Sequence, residues 1–141
     1  MSDEPKFMAV SRDDPAYKQT VELAQSTLDE FRALLPDLLW TDAYPAIKTE
    51  LRSCEEHAFI WLTVQALRPS GFTARVFEIP RQFLDFAVGD DIEIPSEAVL
   101  DWMYHDKGTL HGGFSLRYQR ELLPPEKRLE FDAHIGVTEY A

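Results

Sequence analysis

The first polar–apolar pattern along the chain predicts a long amphipathic helix over residues 13–35. Its apolar residues recur at spacings of three and four and therefore share one face: Val21, Ala24, Leu28, Phe31 and Leu35. Asp14 is a suitable N-cap, and Pro15 fits the first helical position, where its missing N–H is not needed. We expect Pro36 to end the helix because proline cannot continue the backbone hydrogen bonding.

A period of two follows the helix and predicts strands. In residues 46–52, the alternation predicts a buried face of Ile47, Thr49 and Leu51 and a wet face of Lys48, Glu50 and Arg52. Residues 57–67 are apolar on both faces, which is typical of a central strand. Residues 72–79 and 91–94 are predicted to form further strands, the first an antiparallel partner across a Pro-Ser turn.

The last third of the chain predicts a β-hairpin and a final helix. The hairpin turns at Asp106-Lys107-Gly108, where glycine supplies a positive φ. Residues 114–122 fit a strand or a short helix, and we favour the strand. Residues 124–136 open with proline and close with Gly136, as helices do. The expected fold class is α+β: a bent antiparallel β-sheet, partly barrel-like, with an N-terminal amphipathic helix and a short C-terminal helix.

Size and composition predict a single globular domain. The chain has 141 residues, 45% of them apolar and 12% aromatic, enough for one hydrophobic core. We expect a flexible N-terminus (1–11), one domain (12–136) and a tail (137–141). Without a signal-peptide pattern or a long apolar run, the predicted location is the cytoplasm. Cys54 is the only cysteine, so no intrachain disulfide is expected.

Negative charge dominates the composition and is unevenly distributed. The formal net charge is −11, and no Lys or Arg occurs between Arg81 and Lys107. We predict an acidic binding surface from the seven acidic residues of this interval: Asp85, Asp90, Asp91, Glu93, Glu97, Asp101 and Asp106. Such a surface repels nucleic acid and anionic membranes, so neither is expected as a partner, and a basic protein is. The alternative is that the acidity serves solubility alone.

Several spaced motifs resemble the bacterial YegJ-like domain-of-unknown-function family. The resemblance covers most of residues 12–136, with Ser115 where that family more usually has threonine. It rests on these residues: Glu56, His57, Trp61, Gly89, Asp90, Asp101, Trp102, Met103, Gly112, Gly113, Phe114 and Arg117. The resemblance implies little about activity, since that family is uncharacterised. Small domains of this kind sometimes serve as immunity proteins beside secreted toxins, and that role is an analogy.

Two kinds of chemical site are not favoured by the residue spacing. The four histidines (His57, His105, His111 and His134) lack any metal-ligand spacing, so no metal site and no cofactor are expected. Nucleophilic catalysis would need Cys54, whose acidic neighbour suppresses the thiolate, or Ser115 with a nearby histidine. No serine lies in a GxSxG motif.

A candidate cleft combines polar and aromatic residues: Glu56, His57, Trp61, Trp102 and Arg117. The alternative is that both tryptophans are core anchors. Gly112-Gly113 with Arg117 could hold an anion. We favour a tight chain reversal there, with Arg117 paired to a carboxylate such as Asp101.

The expected function is that of a non-catalytic acidic binding protein, of the immunity type, which occludes a basic, toxin-like partner. The alternative is a small-molecule-binding or hydrolytic enzyme with a site at Glu56, His57 and Arg117. A third reading is a structural subunit, which would require a large exposed apolar patch. The sequence leaves the oligomeric state open.

Overall fold

The computed structural model describes residues 14–53 and 56–141, and both the predicted flexible N-terminus and Cys54 lie outside them. The helices are α1 (Pro15–Leu38), α2 (Phe114–Leu122) and α3 (Pro125–Ile135). The strands are β1 (Ala46–Ser53), β2 (Glu56–Arg68), β3 (Gly71–Val76), β4 (Asp91–Pro95), β5 (Asp101–Asp106), β6 (Thr109–Gly112) and β7 (Glu139–Tyr140). A 3₁₀ turn, Ser96–Ala98, precedes β5.

All seven strands form one sheet in the order β4-β3-β2-β1-β5-β6-β7. Every neighbouring pair is antiparallel except β6 and β7, which are parallel. The α+β class is therefore confirmed. The sheet is open rather than barrel-like, since its two outermost strands, β4 and β7, are not paired with each other. A bulge between Val64 and Ala66 interrupts the register of β2 with β3.

Helix α1 forms for the reasons that its sequence suggests. The Asp14 carboxylate accepts the N–H of Ala16 at 2.9 Å, which caps the first turn. The expectation that Pro36 ends the helix is wrong, because α1 continues to Leu38. Proline removes only its own N–H from the ladder, and the Leu39 amide beyond it still donates to the Leu35 carbonyl at 3.0 Å. No helix in the described part of the chain has the length and apolar character needed to cross a membrane.

The main core lies between α1 and the sheet. Phe31 of α1 is fully buried; its ring stacks on Trp102 with centroids 5.0 Å apart and lies 6.1 Å from the ring of Phe72. A second, smaller core lies under α2 and α3 and contains Leu110, Leu116, Leu123, Phe131 and Val137. Helices therefore pack against the sheet around two separate apolar clusters.

The β5–β6 hairpin is confirmed, with a two-residue turn. Lys107 and Gly108 both have positive φ, 49° and 89°, the conformation of a type I′ turn. Residues 114–122, which we favoured as a strand, form α2 instead. The reason is a long-range cap, since the Asp101 carboxylate accepts the N–H groups of Phe114 and Ser115 at the first turn of α2.

The last residues of the chain add to the sheet. Val137 is buried, and Glu139 and Tyr140 pair in parallel with Thr109 and Leu110. These contacts attach residues 137–140 to the edge of the sheet that β6 would otherwise form.

Candidate functional site

Most of the predicted acidic surface is exposed. It lies on the connection between β3 and β4, on β4 itself, on the 3₁₀ turn and at the end of β5. Six of the seven predicted residues are exposed: Asp85, Asp90, Asp91, Glu93, Glu97 and Asp106. The seventh, Asp101, is fully buried and does not belong to this surface. Its carboxylate is directed inward because it caps α2.

Neighbouring arginines partly neutralise the two acidic side chains of β4. Asp91 lies across the ladder from Arg75, which donates to both carboxylate oxygens at 2.8 and 3.1 Å. These bonds lower the pKa of Asp91. The Glu93 carboxylate lies 3.8 Å from Arg68 and accepts the Thr73 hydroxyl at 2.8 Å.

Two other acidic side chains hold the β3–β4 connection in shape. Asp85 accepts the Ser53 hydroxyl at 3.0 Å, which links the connection to the end of β1. Asp90 accepts the N–H of Ala87 at 2.9 Å within its own turn. Glu97 and Asp106, in contrast, make no ion pair or side-chain hydrogen bond with any described residue.

The same connection exposes large apolar side chains between its acidic residues. Leu84 is 82% exposed and Val88 is 65% exposed, while Phe83 is buried and anchors the segment to the core. Phe77, at the start of the connection, is 46% exposed. Exposed aliphatic groups bordered by carboxylates are typical of a surface that binds another protein.

A buried polar cluster lies at the start of α2 and was not predicted. The Ser115 hydroxyl donates to Asp101 at 2.6 Å, and the Lys48 ammonium donates to Ser115 at 3.3 Å. Burial raises the pKa of Asp101, and the hydrogen bonds from Ser115 and the charge of Lys48 oppose that rise. Burial also lowers the pKa of Lys48 to about 8.

Aromatic rings surround the Lys48 ammonium. The nitrogen lies 5.0 Å from the ring centroid of Tyr17 and 5.5 Å from that of Phe59, both within range of a cation–π contact. The Tyr17 hydroxyl is buried without a hydrogen-bond partner in the described part of the chain. Lys48 itself is 7% exposed, so its predicted place on a wet face is wrong. The reason is tertiary: Ser115 of α2, Tyr17 of α1 and Phe59 of β2 lie against the Lys48 side chain.

Ser115 is buried away from the histidines that the sequence suggested as its partners. It is 1% exposed, and its hydroxyl contacts Asp101 and Lys48 rather than the histidines considered from sequence. The cluster closes the start of α2, and this role requires no substrate.

The residues of the predicted cleft lie in different places. Adjacent pairings put Trp61 opposite Lys48 and Trp102 opposite Ile47, so the two tryptophans lie on opposite faces of the sheet. Trp61 packs with the second core and Trp102 with the main core. The two side chains do not line one cleft.

The polar members of that cleft are also separated. Glu56 and His57 are exposed at the start of β2, and His57 lies 3.4 Å from Glu50. Arg117 donates to the carbonyl oxygens of Leu110, Gly112 and Ala141. It therefore joins β6 to the end of the chain and does not make the predicted pair with Asp101.

The Gly-Gly pair is explained by close packing. A Cβ on Gly112 would lie 2.5 Å from ring carbon Cε3 of Trp102, and both glycines have positive φ. The tight reversal favoured from sequence is therefore present, and it lets the Trp102 ring lie against the backbone. Among the described residues, no group of three or more His, Cys, Asp or Glu side chains could hold a metal ion.

Comparison with known proteins gives one match. Residues 14–138 match the family described as "Uncharacterized protein conserved in bacteria (DUF2314)". The chain belongs to this family. No curated protein and no solved structure matches the chain. The resemblance to a bacterial domain of unknown function is thus confirmed, while the YegJ-like name stays a prediction.

The DUF2314 match spans both the acidic connection and the buried cluster. The acidic connection could be predicted, because a run of acidic residues without Lys or Arg is visible in the sequence. The buried cluster was not predicted, because Lys48 occupies a regular position of an alternating strand. The sequence contains one signal for this cluster. The Asp101-Trp102 motif is followed by Gly112-Gly113, and this arrangement places the Asp101 carboxylate near the start of the next element, α2.

Proposed function

We propose that this DUF2314 domain is a non-catalytic binding protein whose acidic β3–β4 connection and strand β4 occlude a basic protein partner, in the manner of an immunity protein. One observation carries the proposal: exposed Leu84 and Val88 lie in the same connection as exposed Asp85 and Asp90. Apolar side chains supply contact area that excludes water, and the carboxylates select a basic surface. The cytoplasm, where such a partner would be neutralised, is part of this proposal.

Charge complementarity favours a basic partner over other classes. From Phe77 to Leu100 the segment contains six acidic residues and a single basic one, Arg81. Of the six exposed residues of the predicted acidic surface, Asp91 and Glu93 lie within ion-pair distance of a described arginine, Arg75 and Arg68 respectively. Long-range attraction from the remaining carboxylates would accelerate encounter and make association sensitive to salt.

The test compares two variants of equal charge. The first removes three acids of the proposed surface that have no arginine partner among the described residues, by Asp85→Asn, Asp90→Asn and Glu97→Gln. The matched control removes three exposed acids of α1 by Glu22→Gln, Asp29→Asn and Glu30→Gln. Each immobilised protein is incubated with native cytoplasm at low ionic strength, and captured proteins are identified and purified.

We expect wild type and the α1 control to capture the same basic protein, and the surface variant to capture it weakly. Association of the purified partner should slow at high ionic strength, and one equivalent of the DUF2314 domain should inhibit the partner's activity. Equal capture by both variants, or a partner that is not basic, contradicts the proposal. Capture without inhibition removes the occlusion role and leaves binding alone.

A further inference from the structure

A second surface of the molecule contains a cavity that the proposed function does not use. It has a volume of about 440 Å³ and lies between the α1–β1 connection, the β5–β6 turn and the end of α3. This volume falls in the range of roughly 300–1,000 Å³ that is typical of small-molecule sites. The acidic strand β4 is at one edge of the sheet, whereas β5 and β6 lie toward the other.

Four polar side chains line the cavity without a partner of their own. Asp42, Tyr44, His105 and Lys107 form no side-chain hydrogen bond and no ion pair with any described residue. The His105 imidazole is partly buried, and burial lowers its pKa. The polar atoms of these four side chains are therefore free to bond a ligand in place of water.

The backbone around the cavity is also unusual. Tyr44 and Lys107 are the two non-glycine residues with positive φ in the described part of the chain, each at 49°, and both line this cavity. The positive φ values of Lys107 and Gly108 belong to the type I′ turn, and that of Gly136 belongs to the left-handed cap of α3, so Tyr44 is the unusual residue among those that line the cavity. Residues held in sparsely populated conformations concentrate at binding sites, where the surrounding structure maintains them.

We propose that this cavity binds a small zwitterion with an apolar side chain, of the class of free amino acids and dipeptides. Asp42 and Lys107 carry opposite charges, line the same cavity and form no ion pair with each other. Asp42 is placed to receive an ammonium group and Lys107 a carboxylate. The ring of Tyr44 and the side chain of Ile135 provide an apolar wall.

The charges of the cavity and of the whole protein disfavour a ligand that carries charge of only one sign. The net charge of −11 repels a purely anionic ligand. A purely cationic ligand would pair with Asp42 but leave the Lys107 ammonium without a counterion in the cavity. The neutral imidazole of His105 can donate from one nitrogen and accept at the other, so it can bond either end of a zwitterion.

The test is a titration of the full-length, ¹⁵N-labelled protein followed by NMR. The probes are L-phenylalanine and the dipeptide phenylalanyl-leucine. Two analogues lack one charge each: 2-phenylethylamine and 3-phenylpropionate. We expect saturable shifts at the amides of Lys107, Gly108 and Gly136, and affinity for each analogue lower by roughly threefold to fivefold, the size that a partly exposed ion pair supports.

Two variants locate the charges, and two controls match them. Asp42→Asn and Lys107→Gln should each weaken binding of the zwitterions by a similar factor. Asp29→Asn and Lys18→Gln make the same charge changes on the exposed face of α1 and should leave binding unchanged. No saturable shift with either zwitterion, shifts at other residues, or equal binding by Asp42→Asn and wild type would each overturn the proposal.

Discussion

The carboxylate of Asp101, at the first residue of β5, accepts both the hydroxyl and the backbone N–H of Ser115, at 2.6 and 2.8 Å. Thirteen residues separate the two in sequence, yet Asp101 does for α2 what an adjacent N-cap residue does for most helices. The negative charge also lies at the N-terminus of the helix, where the macrodipole stabilises it. This contact decides that residues 114–122 are helical.

Asp101→Asn should destabilise the protein strongly. The carboxylate accepts the Ser115 hydroxyl and the N–H groups of Trp102, Phe114 and Ser115, and an amide with a single oxygen cannot accept all four. Lys48 also loses its compensating charge. We expect a loss of about 3 kcal/mol in the free energy of unfolding, measured by urea denaturation. The exposed control, Asp106→Asn, should change it by less than about 0.5 kcal/mol. Similar losses in the two variants would contradict the role assigned to Asp101.

Gly112→Ala should be more destabilising than Gly136→Ala. Both glycines have φ of 72°, so both alanines bear a similar backbone strain of about 1 kcal/mol. The Cβ at 112 would also collide with the Trp102 carbonyl and ring, whereas nothing lies within 4 Å of a Cβ at 136. The difference between the two unfolding free energies therefore measures the packing of Trp102 on the backbone. We expect it to exceed about 1 kcal/mol, and equal losses would show that this collision is relieved at no cost.

The free energy of unfolding should rise with pH between about 8 and 10 because Lys48 loses its proton in the folded protein. In the unfolded chain a lysine has its ordinary pKa of about 10.4, whereas burial lowers the pKa of Lys48 to about 8 in the folded protein. Between these values the unfolded state binds more protons, so the free energy of unfolding increases with pH. Above pH 10 the effect ends, and the raised pKa of Tyr17, about 12, acts in the opposite direction.

The measurement is the difference between wild type and Lys48→Met over that pH range. Methionine has a similar length and no charge, so its unfolding free energy lacks the Lys48 contribution. From pH 8 to 10 the free energy of unfolding of the wild type should increase, relative to that of Lys48→Met, by up to about 3 kcal/mol. Parallel curves for the two proteins would show that Lys48 titrates normally.

Arg117→Lys should loosen the end of the chain while the main core stays intact. The guanidinium bonds three carbonyl groups, those of Leu110, Gly112 and Ala141, and a single ammonium cannot reach all three. We expect a loss of about 1–2 kcal/mol and faster amide hydrogen exchange in β7, with protection in β2 unchanged. Arg128→Lys, at another arginine that donates to carbonyl groups, is the control and should leave β7 protected.

The sequence by itself determined the elements whose cause is local. The apolar stripe of α1, the alternation of β1 and the Lys107-Gly108 turn each depend on neighbours in the chain, and each was predicted correctly as an element. The acidic interval was likewise visible, because charge is a property of residues and not of their packing. Two predictions within those elements were wrong. Pro36 does not end α1, and Lys48 is buried although it alternates with buried residues of β1.

Only the tertiary structure decided what depends on distant residues. Residues 114–122 fit both periods, and a carboxylate on β5 selected the helix. Lys48 is buried because Tyr17 of α1 and Ser115 of α2 lie against it. Trp61 and Trp102 lie on opposite faces because of the register of β1 with both neighbours. The cavity beside Asp42 and Lys107 joins residues from both halves of the chain. Local propensity cannot encode such contacts, because the free energy that selects them arises only once the distant groups meet.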